Sequence, residues 1–390
     1  MTPDAPVLLA WARSAVIPRG GALALLAAHE IAAPVVRALL ARSGIDASAV
    51  DAVVCGNALG AGGNPARMVA LAAGLPDRTA AFSVDTQCCS GLDAVSMGAG
   101  LIASGQAQVV VEGGVEAWSR SPIRLHRPLA QGEAPMSYER PAFAPDPSRD
   151  PDLALAAARY AAQRGITRTA QDAYAVDSHA KALAWRAHMA SEIVPIGAAV
   201  QDTYARSIKV DRTARMPIEA LSDQSGSSDF DRRATAVSRL SIAPQADGAA
   251  FVLMASPRAS AALGAPALLR WRAALAVGTA PEMPMLAAAH ATKDLLHRHG
   301  IEAAALWGAE LHEAFAVQAI AFAEALGIEP ERLNRGGGGL ARGHPIGASG
   351  AVSLVRLLAD MAREAPRGAL GLASIAAAGG LGSAALVEKL

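Results

Sequence analysis

Residues 84–95 read VDTQCCSGLDAV and hold two of the chain's three cysteines, Cys88 and Cys89. They sit where one kind of segment gives way to another. AAFSVDTQCC (80–89) reads as a strand, and SGLDAVSMGAGLIASG (90–105) as a helix of small residues. Working outward, the alternation continues. VVRALLARSGI (35–45) has helical spacing with Gly44 near its end, AVDAVVCGNAL (49–59) reads as a strand, and AQVVVEGGVEAW (107–118) as another. Strands that alternate with helices predict a layered α/β fold.

The middle of the chain breaks the pattern. Residues 119–150 are rich in Pro, Arg and Ser. PDLALAAARYAAQRGI (151–166) and TAQDAYAVDSHAKALAWRAHMASEI (169–193) read as amphipathic helices, and 202–235 as a polar loop region. A strand returns at DGAAFVLMA (247–255). From 266 the first pattern repeats. PALLRWRAALAVG is a strand, MLAAAHATKDLLHRHGI a helix, and AALWGAELHEAFAVQAIAFAEALGI a strand running into a helix. GASGAVSLVRLLADMA is a second small-residue helix, and Gly-rich strands close the chain. This reads as an internal duplication: 1–118 with 236–265 as one half, 119–235 as an inserted loop domain, and 266–390 as the other half.

The chain is 390 residues long, 52% hydrophobic, with 35 basic against 35 acidic residues. That permits a large core and gives no electrostatic reason to expect nucleic acid or an anionic membrane. Three cysteines, two of them adjacent, make neither a disulfide framework nor a zinc site, so a reducing cytoplasm is the expected setting. The N-terminus lacks the basic region of a signal peptide. Residues 368–387 are uncharged, but Gly, Ala and Ser dominate them; buried strands around a Gly turn are expected there, not a membrane span.

Four blocks carry the chemistry. Cys88 falls at a helix start, where backbone N–H groups and the dipole are expected to favour a thiolate; a plain core cysteine is the alternative. NRGGGGLARGHPIGASGA (334–351) puts His344 on a Gly-rich loop entering a helix, with Pro345 suited to a first helical turn. ELHEAFAVQ (310–318) puts His312 at a strand-to-helix junction, where a lone histidine is more often structural. GLASIAAAGGLGSAALVE (371–388) reads as two strands around a turn that could offer N–H groups to an oxyanion. No GKS/GKT or strand–GxGxxG–helix pattern supports a phosphate loop.

In this order and spacing the blocks, with AWARSA (10–15), GNPAR (63–67), VVVEGGVEAWSRSP (109–122) and HEAFAVQ (312–318), resemble the thiolase family over essentially the whole chain. The resemblance implies two βαβαβ halves, each a five-stranded sheet, packed as a five-layer α-β-α-β-α core with an inserted loop domain. It implies an acyltransferase working on acyl-CoA and 3-ketoacyl-CoA thioesters through an acyl-Cys88 intermediate, as a homodimer or homotetramer. No metal or prosthetic group is implied; CoA is substrate. Cys88 matches the family's nucleophile and Cys89 a small filler position, while Asp85 replaces the usual Asn. His344 matches the GHP histidine, as base and oxyanion partner. The N–H groups of Cys88 and Ala378 match an oxyanion hole. His312 stands where many members have Asn, to position a water or the oxyanion.

Two departures matter. Ala376 falls where the family's second catalytic cysteine stands, and Ala243, with Pro244, falls in a segment that touches the pantetheine arm. Ala243, Gly379 and Gly380 are the substrate-contact candidates. Cys88, His312 and His344 together also resemble the Cys-His-His set of decarboxylating condensing enzymes. Such an enzyme, another acyl-transfer enzyme and a weakly active CoA-binding paralogue are therefore the alternatives.

Overall fold

The computed structural model describes residues 5–224 and 228–390. The first four residues of the expected leader-free N-terminus, and 225–227 within the expected polar loop, lie outside the described residues.

The first half opens with β1 (Val7–Ser14) and α1 (Ala28–Ser43). It continues through β2 (Ala52–Gly56), α2 (Pro65–Ala73), β3 (Ala80–Val84), α3 (Ser90–Ala103) and β4 (Val109–Ala117). The inserted region carries α4 (Leu153–Arg164) and α5 (Arg168–Met189) among short turns and hairpins. β5 (Ala246–Ala255) returns to the first half. The second half then runs β6 (Leu269–Gly278), α6 (Ala287–Arg298), β7 (Leu306–Leu311), α7 (Ala316–Leu326), α8 (Ser349–Glu364), β8 (Leu370–Ala377) and β9 (Leu381–Lys389). The uncharged C-terminal stretch is thus two antiparallel strands, and among the described residues no helix is long and apolar enough to cross a membrane.

Strand order along the sheet is β7-β8-β9-β6-β1-β5-β4-β2-β3, the two halves meeting where β1 and β6 pair through Val7 and Leu8. Each half has the same plan. β2 runs parallel to β4, which is antiparallel to β5 and then β1. β7 runs parallel to β8, which is antiparallel to β9 and then β6. The second half has four strands where the resemblance implied five. The chain beside β7 makes only a single bridge, Ala309 with Leu333, before Asn334 turns it away at φ 47. Asn334 fixes that turn by accepting from Leu311 N–H (2.8 Å) and donating to Leu311 O (3.0 Å).

Burial sorts the elements into five layers. α1 and α2 cover the outer face of the first sheet through Ile31, Val35, Leu39 and Val69. α6 covers the outer face of the second through Leu295 and Leu296. Between the sheets lie α3 and α8, whose Leu92, Val95, Leu354 and Leu358 share one core with both inner faces. α3 is built largely of small residues, which suits that central place. One inner position holds a carboxyl without partners. Glu112 on β4 is fully buried with neither carboxyl oxygen partnered. It fits only because Gly98 of α3 lacks a side chain; a Cβ there would lie 2.2 Å from Glu112 Cγ.

The inserted region is tied to both halves by buried charge. Arg13 of β1 donates to Glu192 and Asp202, each at 2.7 Å. Arg356 of α8 donates to the same Glu192 and, at 2.9 Å, to Asp360.

Candidate active site

Cys88 follows β3 and precedes α3 in the first half. His344 follows the Leu333 bridge and precedes α8 in the second, so the two occupy corresponding places in the duplicated plan. The turn before Cys88 is strained: Gln87 has φ 56, a left-handed conformation that costs a residue with a Cβ about 1–2 kcal/mol. Local bonds hold it. Asp85 accepts from Gln87 N–H (2.9 Å), and Ser90 Oγ accepts from Thr86 N–H while donating to Gln87 O.

The histidine loop reaches Cys88 because glycines on the other half leave room. A Cβ on Gly56, Gly91 or Gly114 would meet the Gly347 carbonyl at 2.7, 2.8 or 2.1 Å. Gly347 N–H donates to Glu116 Oε2 (3.0 Å). Glu116 also accepts from Asn57 Nδ2 (2.9 Å), Ala58 N–H (3.0 Å) and Leu59 N–H (3.3 Å), and burial pushes its carboxyl up to about 7. The inserted contact changes the local backbone. Pro345 was expected in a first helical turn, but it has ψ 88 and leads into a 3₁₀ turn at Ile346–Ala348, with α8 starting only at Ser349.

His344 Nε2 lies 3.1 Å from Cys88 Sγ. Its tautomer follows from its other side. Ser349 Oγ donates its single hydrogen to Pro345 O (3.0 Å), so at 2.7 Å it accepts from His344 Nδ1–H. Nε2 therefore presents a lone pair to the thiol. The expected thiolate is opposed by burial. Burial pushes the Cys88 thiol up to about 12, although backbone N–H groups of Ala378 and Cys88 itself favour the anion. Burial likewise brings His344 down to about 4. Both shifts favour a neutral thiol beside a neutral imidazole. Cys89 is buried beside it, 3.7 Å from Ile375 O, and is a packing residue.

Both face an apolar cavity of about 120 Å³, walled by Ala376, Ala377 and Ala378 of the β8 end, Ala243 and Ile242, Met285, Phe315 and Leu153. Ala243 is pinned there by its N–H bond to Ala314 O (3.0 Å). Gly379 and Gly380 form the hairpin turn behind Ala378 rather than the wall. Both have φ 77, and Gly380 O accepts from Thr279 N–H at 2.7 Å. Ala376 brings only a methyl group to the cavity.

His312 caps the C-terminal end of β7, its N–H donating to Ser374 O (2.9 Å). Its ring lies 4.3 Å from that of His344, it is buried, and its Nε2 has no partner. Burial first, then His344, holds it well below the usual imidazole range. The sequence reading missed two supporting acids. One is Glu116. The other is Glu313, whose carboxylate accepts from Ser178 Oγ (2.7 Å), Tyr174 OH (3.0 Å), Asn334 Nδ2 (2.6 Å) and Leu340 N–H (3.3 Å), fixing the Gly-rich loop. Their signal was present in VEGGVEAW and HEAF: an acid inside an otherwise apolar strand end is buried only if it is hydrogen-bonded.

The sequence matches "Thiolase, N-terminal domain" over residues 7–258 and "Thiolase, C-terminal domain" over 265–389. The chain belongs to the thiolase family. It is an acyltransferase of that family's kind. It is 35% identical to an acetyl-CoA acetyltransferase of Pseudomonas aeruginosa over 395 residues, covering 98% of this chain and 99% of the relative. It is 35% identical to another from Rhizobium meliloti, covering 98% of each. Two solved structures superpose closely. One is an acetyl-CoA acetyltransferase of Bacillus anthracis (TM-score 0.89, 29% identity, 99% of both chains). The other is the Acat5 thiolase of Ascaris suum in complex with coenzyme A (TM-score 0.88, 26% identity, 99% of this chain and 100% of that one).

Proposed function

We propose that this thiolase moves acyl groups between coenzyme A thioesters through an acyl thioester on Cys88, with acetyl-CoA and acetoacetyl-CoA as substrates. One observation carries the reading: a thiol and an imidazole lone pair 3.1 Å apart, facing an apolar cavity. The names of the relatives, acetyl-CoA acetyltransferases, favour the acetyl group.

The geometry supports this sequence of events. Cys88 Sγ attacks the thioester carbonyl as its proton passes to His344 Nε2. The Nδ1–H bond to Ser349 steadies the resulting imidazolium. Charge on the carbonyl oxygen is received by the N–H groups of Cys88 and Ala378. The C–S bond to CoA breaks, and the departing thiolate takes the proton from His344. A neutral resting pair suits this role, since a base must be unprotonated and a thiol must keep its proton until attack. No metal or prosthetic group takes part in this scheme, and CoA is a substrate. The three cysteines are free thiols, which fits a reducing compartment.

We also infer a homo-oligomer. β3 is one of the sheet's two edge strands, its Phe82 is 48% exposed, and Met68 and Leu71 of α2 and Met97 of α3 are exposed beside it. An open edge flanked by apolar side chains invites pairing with a second copy. Sedimentation should give at least a dimer, and Phe82→Lys should shift it to monomer.

The first experiment is intact mass after incubation with acetyl-CoA, with free CoA measured alongside. A single acetyl adduct is expected, absent in Cys88→Ala. An adduct that survives in Cys88→Ala, or no adduct with either acetyl-CoA or acetoacetyl-CoA, refutes the reading.

A further inference from the structure

His344 reaches Cys88 because the turn that follows it is held against the first half, and one carboxylate ties the two together. Glu116, near the end of β4, is buried. Its Oε2 accepts from Ala58 N–H and Gly347 N–H, each at 3.0 Å, and its Oε1 from Asn57 Nδ2 (2.9 Å) and Leu59 N–H (3.3 Å). Three of these donors belong to the turn after β2; the fourth belongs to the second half, three residues beyond His344. The seat is close: a Cβ on Gly347 would lie 2.6 Å from Asn57 Cα. Every one of these partners is a donor, so the hydrogen of a neutral carboxyl would have no acceptor among them.

We propose that Glu116 is a positioning residue for acyl transfer: as a carboxylate it draws the Gly347 turn onto the first half and so sets the approach of His344 to Cys88, and on taking up a proton it slackens that hold. The inference rests on the acyl-Cys88 reading above and adds its control by pH. The physical reason lies in two kinds of hydrogen bond. Bonds to an ionised acceptor are shorter and roughly twice as strong as bonds between neutral groups. A proton on either oxygen removes that assistance from all four bonds and sets an O–H against at least one N–H. Asn57 cannot compensate, because its Nδ2 also serves Val115 O (2.9 Å). His344 Nε2 lies 3.1 Å from Cys88 Sγ, and a retreat nearing 1 Å costs about 10² in rate.

The proton is exchanged near neutrality. Burial pushes the Glu116 carboxyl up to about 7 against the pull of its backbone donors, and Asp85 of the nucleophile turn adds to the rise. The other titratable groups facing it are Cys55 of β2 and Cys88, both thiols pushed up by burial. His344 is brought down to about 4. On β5, Asp247 turns its carboxylate to Ser119 N–H (2.8 Å). Of the four groups that burial shifts here, Glu116 alone titrates between pH 6 and 8. Stability and activity then respond with opposite signs. The folded state holds this proton more tightly than the unfolded chain, whose carboxyl lies near about 4.3, so the contribution of Glu116 to stability falls as pH rises from there through about 7. Over the same range the carboxylate share grows, and with it the alignment of His344. A side chain that merely supported the fold would move both together.

The test is single-turnover acetylation of Cys88 by acetyl-CoA, read by intact mass from about pH 6 to 9, with urea midpoints at the same pH values. The parent's rate should rise about five- to tenfold between pH 6 and 8 and then level off. In Glu116→Gln, acetylation should be about 10–10² slower at pH 8 and flat with pH. The parent's urea midpoint, relative to that variant's, should fall across the range in which its rate rises. Glu112→Met loses a buried carboxyl on the same strand that has no bond to either turn, and should keep the parental rate profile. A flat parental profile overturns the proposal without any variant, so a Glu116→Gln chain that fails to fold does not shield it. A rise that continues about tenfold per pH unit above 8 also overturns it, since that belongs to the Cys88 thiol. So does a Glu116→Gln profile that keeps the parental rise, or a Glu112→Met profile that loses it. A parent acetylated at no pH refutes the acyl-Cys88 reading on which this one stands.

Discussion

Gly347→Ala tests whether the docked histidine loop is what brings base and nucleophile together. The backbone at 347 is not in the left-handed region, so alanine adds no conformational strain of its own. The cost is steric. The new Cβ would lie 2.6 Å from Asn57 Cα, 2.9 Å from Glu116 Oε2 and 3.0 Å from Ala58 N. The nearest atom is backbone and cannot rotate aside, so the loop must back out by several tenths of an ångström. Overpacking of this kind costs about 1–3 kcal/mol. His344 lies three residues upstream and its 3.1 Å approach to Cys88 has no slack, so a displacement nearing 1 Å should slow acyl transfer by about 10². Single-turnover acetylation of Cys88 by acetyl-CoA, read by intact mass, should therefore slow by about 10–10². Urea denaturation should show the matching loss of stability. Unchanged acetylation in a variant that has lost stability would refute the reasoning, because the loop would then have moved without moving the base. An unchanged urea midpoint would show that the glycine contact is not tight.

Ser349→Ala removes the acceptor that fixes the His344 tautomer and should slow acetylation about tenfold, roughly the value of one hydrogen bond to a charging group, with little change in stability. Because Cys88 is pushed up to about 12 and His344 down to about 4, alkylation of Cys88 by iodoacetamide should rise about tenfold per pH unit from 6 to 9; a plateau in that range would reveal a thiolate–imidazolium pair and refute the neutral resting state. Glu112→Met should stabilise the protein by about 1–3 kcal/mol at pH 8, since it removes a buried carboxyl without partners. Burial raises that carboxyl well above its unfolded value, so the folded state holds its proton more tightly and parental stability falls as pH rises above about 4.3; the methionine variant should lose that part of the slope in urea titrations run from pH 5 to 9.

Much of this was legible in the letters. Helix and strand alternation, the duplicated plan and the placement of Cys88, His312 and His344 come from local patterns: periodicity, small residues at helix starts, and Gly-rich turns. What escaped depended on contacts between distant segments. Nothing local marks Gly56, Gly91 and Gly114 as the socket for one carbonyl 233 or more residues away, since each also reads as an ordinary strand or helix glycine. The same applies to Pro345. Local rules favour proline in a first turn, but the docking of Gly347 delays the helix to Ser349. The thiolate expectation meets an opposing effect for a related reason. A helix start favours the anion, but burial between two halves opposes it more strongly, and burial is a property of the assembled fold. The missing fifth strand depends on one residue, Asn334, whose side chain takes the bonds a strand partner would have made.

Cys88 and His344 lie 256 residues apart and belong to different halves. During synthesis the first half leaves the ribosome with its cysteine but without any partner to take its proton. On the scheme proposed above, its acylation waits until the last quarter of the chain has been made and has docked. Any state in which one half has loosened likewise lacks the His344 contact. On that scheme the duplication acts as an interlock: the covalent bond to substrate forms only when the chain is whole, and acetylation of Cys88 should report that completeness as well as catalysis.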